Sequence, residues 1–563
     1  MDSKVKKIYD EWTGADLKDA DLTADLAAAA SAAAEGDEEA IFDRFYKDLE
    51  FGTAGLRGVL GAGTNRMNIY TVARATRGYA KYLKTLSNAP KMAIAYDSRH
   101  KSDVFARETA RIMAAEGVHV YLWPELMPTP ALSFAVRYYA CDGGVVITAS
   151  HNPSQYNGYK AYDPTGCQID EEAADAVLKN IEAEPMFPMS DTYTFDEGLA
   201  SGMIEYIPDC VRDEFITAAS AWSLCGDDID KSVKIAYTPL YGTGLKCVTT
   251  CLERNGFTNI VLVDEQAQPN GDFPTCPYPN PEIRQAMETG LKVAKEKGAD
   301  ILIATDPDAD RMGIAVKDGD DFKLITGNQT GMLLLDWMCK RRLEIGKMPK
   351  GPIAVKSIVS TDMIHKLAGK YGVEVIDVLT GFKNIAPVVT KLCETHEEDR
   401  YIFGYEESYG YMLGTHVRDK DAVSASLMVA EMFAYYKGKG QSLLEVLDSI
   451  YKEFGYYVNT THSYEFPGAS GFDKMKSIME EYRNHPKSAF AGIKVVEIQD
   501  YINGYKNIPA SNVIKYVLEG NGMVVLRPSG TEPKLKLYIG VGAPTLKEAE
   551  EIEKRITEEE NIH

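Results

Sequence analysis

Ser150 is the residue in this chain best placed to act as a nucleophile. It follows the apolar run Val145 to Ile147 and precedes His151, so its hydroxyl is expected at the end of a strand. A serine can carry a phosphoryl group when a neighbouring base takes its proton or a cation offsets the charge. His151 and Lys160 are the candidate partners. The alternative is a simple helix or turn cap, because serine and asparagine stabilise such ends.

Three carboxylates at alternate positions follow the apolar strand predicted from Ile301 to Ala304. They belong to Asp306, Asp308 and Asp310. A tight loop could turn all three towards one hard cation, and oxygen ligands suit Mg²⁺. An EF-hand is rejected, because its sixth and twelfth positions require glycine and glutamate but hold Arg311 and Lys317 here. A solvated acidic turn is the remaining alternative, although repulsion among three carboxylates favours a bound ion.

Two later loops offer recognition chemistry rather than reaction chemistry. In GYEESYG, Glu406 and Ser408 could bind sugar hydroxyls through directional hydrogen bonds, although either glutamate of this loop could be plain surface charge. In RPSGT, the Arg527 guanidinium precedes two hydroxyls and a glycine that exposes backbone amides, which is the chemistry of a phosphate nest. Those residues are Ser529, Thr531 and Gly530. The four loops together indicate an enzyme that acts on a phosphosugar.

The elements that must position these loops recur three times. Each copy has an apolar strand, a polar loop, an amphipathic helix, a turn and a second apolar strand, and the copies begin at Met92, Val233 and Ile353. Ligands bind beyond the carboxyl ends of strands in open α/β sheets, where three of the loops would fall. We therefore expect an α/β fold with three similar α/β domains and a smaller C-terminal α+β domain around a central active-site cleft.

The expected domains follow the loops along the chain. Residues 1–50 form a helical N-terminal cap, with helices over Ala24 to Ala34 and Ile41 to Leu49. The other four domains carry the Ser150, metal, sugar and phosphate loops in turn. Their predicted bounds are 51–215, 216–330, 331–454 and 455–563.

Composition excludes several classes of protein. At 563 residues the chain is too long for one core. A net charge of -22 argues against a nucleic-acid partner. The nine cysteines include no CxxC pair, which favours reduced thiols and a cytoplasmic location. No window approaches the roughly 18 apolar residues of a membrane span. The expected partner is a small phosphosugar, and the expected protein is a monomer or dimer.

The motifs TASHNP, DPDADR, GYEESYG and RPSGTEPK, in this order, resemble the α-D-phosphohexomutase superfamily, in particular its bacterial phosphoglucomutase and phosphopentomutase branch. Further matching stretches are FGTAGLRG, YDSRH, TPLYGTG, LTGFKNI and VRDKDA. The resemblance extends over about residues 40 to 545.

The resemblance implies a role for each matching residue. Ser150 would be carried as a phosphoserine and would bind Mg²⁺ together with the three aspartates. Arg57 and Lys160 would assist the transfer, and His151 or Lys160 would be the general acid or base. Substrate contacts would come from Arg311, Thr380, Gly381, Lys383, Glu406, Ser408 and Lys420. Phosphate contacts would come from Arg527, Ser529, Gly530 and Thr531, with Lys534 and Lys536 as further candidates.

The implied reaction interconverts glucose 1-phosphate and glucose 6-phosphate, with glucose 1,6-bisphosphate as intermediate and activator. The alternatives within the class are a phosphopentomutase, a phosphomannomutase and a sugar-bisphosphate synthase. A phosphatase and a non-catalytic phosphosugar sensor are the alternatives outside it. Tyr405 stands where hexose-specific relatives place glycine, which keeps pentose phosphates among the candidate substrates.

Overall fold

The computed structural model describes residues 2–52, 55–188, 192–466, 471–520, 522–528, 534–560 and 562. The chain divides into two compact units. Unit 1 comprises Met1–Ser223, Asp230–Leu324 and Gly410–Ala430. Unit 2 comprises Leu224–Ile229, Ile325–Tyr409 and Glu431–His563.

The chain begins with three helices in unit 1. They are α1 (Ser3–Gly14), α2 (Ala20–Ala34) and α3 (Glu39–Phe45). Trp12 and Phe45 are buried between them and pack with Tyr70 of the following domain. The helix predicted from Ile41 to Leu49 is shorter in the structure and ends at Phe45. Beyond it the chain leaves the helix, and the Leu49 amide donates to the Thr64 carbonyl at 2.9 Å.

The first α/β domain is built on a six-stranded sheet. Its elements are β1 (Leu56–Val59), α4 (Ile69–Leu86), β2 (Lys91–Tyr96), α5 (Ser102–Ala115), β3 (His119–Leu122), α6 (Thr129–Tyr138), β4 (Gly143–Ile147), β5 (Tyr156–Tyr162), α7 (Glu171–Glu182), α8 (Phe195–Ala200), β6 (Ile204–Tyr206) and α9 (Asp209–Ser220). The strand order is β1-β5-β4-β2-β3-β6. The strands β4, β2, β3 and β6 run parallel, and β5 runs antiparallel to both of its neighbours. The Ser150 loop therefore leaves the carboxyl end of a fully buried strand, as predicted.

The second α/β domain, also in unit 1, has a five-stranded sheet. Its elements are β7 (Ile235–Thr238), α10 (Gly244–Arg254), β8 (Ile260–Leu262), α11 (Asp264–Ala267), α12 (Arg284–Glu296), β9 (Ile301–Thr305), β10 (Met312–Asp318) and β11 (Asp321–Ile325). The order is β11-β10-β9-β7-β8, with β9, β7 and β8 parallel. The acidic loop is the turn between β9 and the antiparallel β10.

The third α/β domain lies mainly in unit 2. Its elements are α13 (Gly327–Glu344), β12 (Ile353–Ser357), α14 (Met363–Lys370), β13 (Glu374–Val378), α15 (Phe382–Glu394), a 3₁₀ helix (Glu398–Arg400), β14 (Tyr401–Glu406), β15 (Gly410–Met412), α16 (Ala422–Gly438) and α17 (Leu443–Phe454). The central strand β12 pairs in parallel with β13 and β14. The chain runs through unit 1 from β15 to the middle of α16.

The C-terminal domain has a different architecture. Its elements are β16 (Tyr456–Glu465), α18 (Gly471–Asn484), β17 (Ala489–Phe490), β18 (Ile493–Asp500), β19 (Ile514–Leu518), β20 (Gly522–Pro528), β21 (Lys534–Ala543) and α19 (Leu546–Glu559). The order β16-β21-β20-β19-β18-β17 is antiparallel throughout. Three α/β domains followed by this α+β domain confirm the predicted fold class.

Two general expectations can be compared with the structure. All nine cysteines are free thiols, as their spacing predicted. Among the described residues, no helix combines the length and the apolar character needed to cross a membrane.

Candidate active site

Ser150 lies in a constrained loop at the end of β4. Its φ of 52° is in the left-handed region, which a residue with a side chain rarely adopts, so the surroundings must hold it there. The Ser150 amide donates to Thr148 Oγ1 at 2.8 Å. The Ser150 hydroxyl donates to Asp306 Oδ2 at 2.8 Å and lies 3.2 Å from His151 Nδ1. The nucleophile therefore contacts both a candidate base and a candidate metal ligand.

Arg99 holds this loop in place, a role that sequence reasoning missed. Its buried guanidinium donates to four backbone carbonyls of the loop, at 2.5, 2.8 and 3.1 Å for three of them. Those carbonyls belong to Ser150, Pro153, Tyr156 and Asn152. Asp97 pairs with Arg99 at 3.3 Å and accepts from the Thr148 hydroxyl at 2.6 Å. The available signal was the YDSRH stretch at the end of β2.

The three aspartates form one buried cluster, with one oxygen from each lying within 4.8 Å of the others. Asp306 Oδ1 accepts from the amides of Asp310 and Arg311 at 3.1 and 3.0 Å. Asp308 Oδ2 accepts from the Thr129 hydroxyl at 2.9 Å. Asp308 Oδ1 and Asp310 Oδ1 are buried and accept no hydrogen bond from the described residues. Because buried oxygens need a partner, this set fits a hard divalent cation.

The electrostatics of the three aspartates also favour a bound cation. Burial, together with the carboxylates of Asp308 and Asp310, raises the pKa of Asp306 well above its usual range. Such repulsion is relieved when a cation occupies the site. The loop is held against the TPLYGTG turn, where a Cβ on Gly242 would lie 2.3 Å from the Pro307 Cα. Only glycine permits that approach.

Two lysines supply positive charge beside the cluster. Lys160 Nζ lies 2.7 Å from Asp308 Oδ2 and 3.5 Å from Asp310 Oδ2. Burial lowers the pKa of Lys160, but the two aspartates outweigh that effect and raise the pKa above its ordinary value. Lys420 Nζ lies 3.2 Å from Asp310 Oδ2 and 3.0 Å from Asp419 Oδ1. Asp419 is a second residue of the site that the sequence did not predict. The only signal for it was its place beside Lys420 in the VRDKDA stretch.

Two arginines complete the group in unit 1. Arg57, on β1, donates to Asn152 Oδ1 at 3.2 Å. Arg311 donates to Glu282 Oε1 at 3.0 Å. Loss of hydration, with Arg311 and Arg57 nearby, holds the pKa of His151 well below its ordinary value. These surroundings favour the neutral imidazole over the protonated one.

In unit 2, the two glutamates of the sugar loop have different surroundings. Glu406 ends β14 and accepts a hydrogen bond from the Gly381 amide at 2.5 Å. Glu407 Oε2 accepts from the hydroxyls of Ser357 and Ser360 at 2.9 and 3.1 Å. Glu407 is thus part of the protein's own hydrogen-bond network, rather than the plain surface charge that the sequence allowed.

Tyr405 lies in the core. Its ring stacks on Phe403 with 5.4 Å between centroids. A Cβ on Gly331 of α13 would lie 2.6 Å from that ring, so the glycine makes room for it. The bulky side chain at this position is therefore accommodated by the domain interior.

The remaining predicted residues in unit 2 lie on three segments. Thr380 and Gly381 lie in the turn from β13 into α15, Lys383 lies in the first turn of α15, and Ser408 follows β14. Arg527 is the second-last residue of β20. Burial and the charge of Glu407 raise the pKa of Tyr538 above its ordinary value, and the charge of Arg527 offsets only part of that rise. Arg527 and the sugar loop thus share Tyr538 as a neighbour. The rest of the phosphate loop lies outside the described residues. Those residues are Ser529, Gly530 and Thr531.

Lys534 and Lys536, the further phosphate candidates, both lie on β21. Lys534 Nζ pairs with Glu465 Oε1 at 2.9 Å, across the β16–β21 ladder. Lys536 lies opposite Ser463 on that ladder and opposite Arg527 on β20.

Each unit gathers its own part of the predicted site. Unit 1 brings together Arg57, Ser150, His151, Lys160, Asp306, Asp308, Asp310, Arg311 and Lys420. Unit 2 brings together Gly381, Glu406 and Arg527.

Four family models match the chain in succession. They describe phosphoglucomutase/phosphomannomutase alpha/beta/alpha domains I, II and III, over residues 48–186, 213–319 and 326–454, and the C-terminal domain, over residues 477–559. A curated phosphoglucomutase of Staphylococcus haemolyticus is 36% identical over 510 residues, which cover 88% of this chain and 91% of that protein.

Solved structures show the same fold at lower identity. A phosphoglucomutase/phosphomannomutase family protein of Burkholderia thailandensis matches with a TM-score of 0.65 and 19% identity, covering 91% of this chain and 97% of its own. The N-acetylphosphoglucosamine mutase of Aspergillus fumigatus, in complex with GlcNAc-6P and magnesium, matches with a TM-score of 0.51 and 14% identity, covering 94% and 98%.

Proposed function

The chain belongs to the phosphoglucomutase/phosphomannomutase family, and on that premise we propose that it interconverts glucose 1-phosphate and glucose 6-phosphate. The observation that carries the proposal is the 2.8 Å contact between Ser150 Oγ and Asp306 Oδ2, which joins a nucleophile to a buried carboxylate cluster. The staphylococcal relative, named a phosphoglucomutase, supports glucose as the sugar.

The proposed reaction starts from phosphorylated Ser150. The free hydroxyl of the sugar phosphate attacks the phosphorus, the bond from phosphorus to Ser150 Oγ breaks, and glucose 1,6-bisphosphate forms. In this step the sugar hydroxyl loses its proton and Ser150 Oγ gains one. The His151 imidazole lies 3.2 Å from Ser150 Oγ, where it can exchange a proton with the serine. The bisphosphate then turns around, its other phosphoryl group returns to Ser150 Oγ, and the serine proton passes to the sugar oxygen that is released. The product is the isomeric monophosphate.

Positive charge around Ser150 stabilises the transferring group. Lys160 is an ammonium held by the aspartates, which suits it to charge stabilisation rather than to proton abstraction. Arg57, on β1, is held near Ser150 by its hydrogen bond to the Asn152 side chain. Mg²⁺, held by the three aspartates and an oxygen on Ser150, would offset the phosphoryl charge when bound. The magnesium in the Aspergillus relative supports this choice of ion.

The residues of unit 2 recognise the substrate in this proposal. Glu406, with Ser408, binds the sugar hydroxyls, and the turn that holds Gly381 keeps Glu406 in place. Arg527 binds the phosphate that is not reacting, through charge-assisted hydrogen bonds. The partner is thus a small phosphosugar. We further propose a monomer or dimer in the cytoplasm, where nine free thiols would stay reduced.

Steady-state rates for glucose, mannose and ribose 1-phosphates, with release of free phosphate measured alongside, test the proposal. We expect glucose 1-phosphate to give the highest kcat/KM and almost no phosphate to be released. A preference for ribose 1-phosphate would make the protein a phosphopentomutase, and a preference for mannose 1-phosphate a phosphomannomutase. Phosphate release at the rate of turnover would make it a phosphatase.

A further inference from the structure

A short segment of unit 2 contacts both the C-terminal sheet and the sugar loop. This docking segment, Ser357–Asp362, joins the end of β12 to the start of α14. Its apolar residues Ile358 and Val359 are buried against the C-terminal domain. The residues they contact there form one cluster of Tyr501, Val513, Met523, Val525 and Tyr538. The last of these, Tyr538, is also the tyrosine whose pKa is affected by the nearby charge of Arg527.

A buried lysine adds a charged contact at the same place. Lys515 projects from β19 and is 3% exposed. Its Nζ donates to the Ile358 carbonyl at 3.0 Å and pairs with Asp362 Oδ2 at 2.8 Å. The other oxygen of Asp362 accepts from Lys356 Nζ at 2.9 Å, and Lys356 also reaches Asp377 Oδ1 at 3.0 Å. Two almost fully buried lysines thus pair with two partly exposed aspartates.

Such a cluster does more than add stability. Burying charges costs hydration that ion pairing only partly offsets, whereas the directional requirements of the pairs specify one geometry. An apolar contact alone would allow the C-terminal sheet to slide on Ile358 and Val359. Lys515 Nζ contacts both a carbonyl and a carboxylate of the docking segment, and these two directional contacts would restrict such movement.

The opposite side of the docking segment holds the sugar loop. The hydroxyls of Ser357 and Ser360 lie 2.8 Å apart and both bond Glu407 Oε2. The Glu407 amide donates back to Ser360 Oγ at 3.0 Å. Glu406, the proposed sugar ligand, is the residue before Glu407 in the chain. The docking segment therefore connects Lys515 of the C-terminal domain to the backbone that presents Glu406.

We propose that Lys515 is a positioning residue that, through the docking segment, sets the position of Arg527 relative to Glu406. In this arrangement the distance between the phosphate contact, Arg527, and the sugar contact, Glu406, is set by the docking segment. That a phosphosugar binds to these two residues rests on the proposed function, but the structural role of Lys515 can be tested without measuring activity.

Hydrogen–deuterium exchange tests the structural part. In Lys515→Met, which keeps the side-chain length and removes the charge, we expect faster exchange in residues 357–362 and 401–409. The control is Lys487→Met, which removes another lysine of the C-terminal domain that pairs with a buried glutamate, Glu560. It should leave both segments unchanged. Unchanged exchange in Lys515→Met, or equal changes in both variants, overturns the proposal even if the enzyme is a phosphoglucomutase.

Kinetics test the positioning itself. Lys515→Met should lower kcat/KM for glucose 1-phosphate on the order of tenfold, mainly through KM, as expected for coupling between contacting groups. Added to Arg527→Ala, the same change should have little further effect, because the phosphate contact that it positions is already gone. Ser360→Ala, a milder change at the other end of the segment, should raise KM in the same direction. Additive losses in the double variant, or a fall in thermal stability without a rise in KM, would overturn the role.

Discussion

The Ser150 hydroxyl donates a hydrogen bond to Asp306 Oδ2 at 2.8 Å, although 156 residues separate the two in the chain. Ser150 lies in the loop after β4 of the first domain, and Asp306 directly follows β9 of the second. The contact exists because both loops leave the carboxyl ends of their strands within unit 1. It places the nucleophile beside the carboxylates that would hold a cation.

Replacement of Ser150 by alanine should abolish turnover and change thermal stability little, because one hydroxyl is removed from a loop that Arg99 holds by the backbone. Intact-mass and peptide mass spectrometry should locate phosphate on Ser150 in the wild type. Ser154→Ala, later in the same loop, is the control and should remain active. Phosphate found only elsewhere would exclude Ser150 as the carrier.

Asp308→Asn should weaken Mg²⁺ binding and lower the rate by orders of magnitude, because a neutral amide replaces a charged hard ligand. Thermal unfolding with and without Mg²⁺ measures binding directly, since a ligand of the folded state raises Tm. The control, Asp320→Asn, changes an exposed aspartate in the hairpin after the loop. EDTA should inactivate the wild type and Mg²⁺ should restore it. Full activity in chelator would contradict a metal role.

Glu406→Gln should impair both reaction directions, because a bisphosphate that turns around must be recognised either way round. The glutamine carbonyl can still accept from the Gly381 amide, so the loop should keep its shape. Initial rates from glucose 1-phosphate and from glucose 6-phosphate measure the two directions. Glu394→Gln, at the exposed end of α15, is the control. A loss in one direction only would assign Glu406 to a single binding orientation.

Arg527→Ala should raise KM through loss of a charge-assisted contact worth about 1.5 to 3 kcal/mol, or roughly ten- to a hundredfold in kcat/KM. The rate constant kcat can fall too, since remote phosphate binding positions the reacting end. Arg555→Ala, on the exposed face of α19, is the matched control. Unchanged kinetics in Arg527→Ala would remove this residue from the phosphate site.

The ion pair of Asp377 with Lys356 should stabilise the fold at neutral pH and be lost in acid. Loss of hydration raises its pKa, but Lys356 and His365 outweigh that effect and hold the pKa below its ordinary value. Because this pKa is lower in the folded state than in the unfolded state, the ion pair stabilises the fold at pH values above the unfolded pKa of about 3.9. That stabilisation is lost as the pH falls from there towards the folded-state pKa. The Tm of the wild type should therefore fall more steeply than that of Asp377→Asn below about pH 4. Parallel curves for the two proteins would contradict the ion pair.

Several elements could be predicted because their signals are local. The strand that begins at Met92, the strand from Ile301 to Ala304 and the acidic loop after it were predicted from apolar runs and turn residues, and the structure has them within a few residues. The same is true of which residue types could do chemistry. A serine at a strand end and alternating aspartates carry their chemistry in their own side chains, wherever the chain later places them.

The partners of those residues depended on tertiary structure. Arg99, Asp419 and Lys515 are ordinary charged residues in sequence, and each contacts residues far along the chain, such as Tyr162 for Asp419. Lys515, for example, pairs with Asp362, 153 residues earlier, because β19 packs against the docking segment. The sequence by itself determined the chemistry available and the strand ends that present it. Only the packing of sheets decided which charges meet, because burial and distance, which set the strength of an ion pair, are properties of the folded chain.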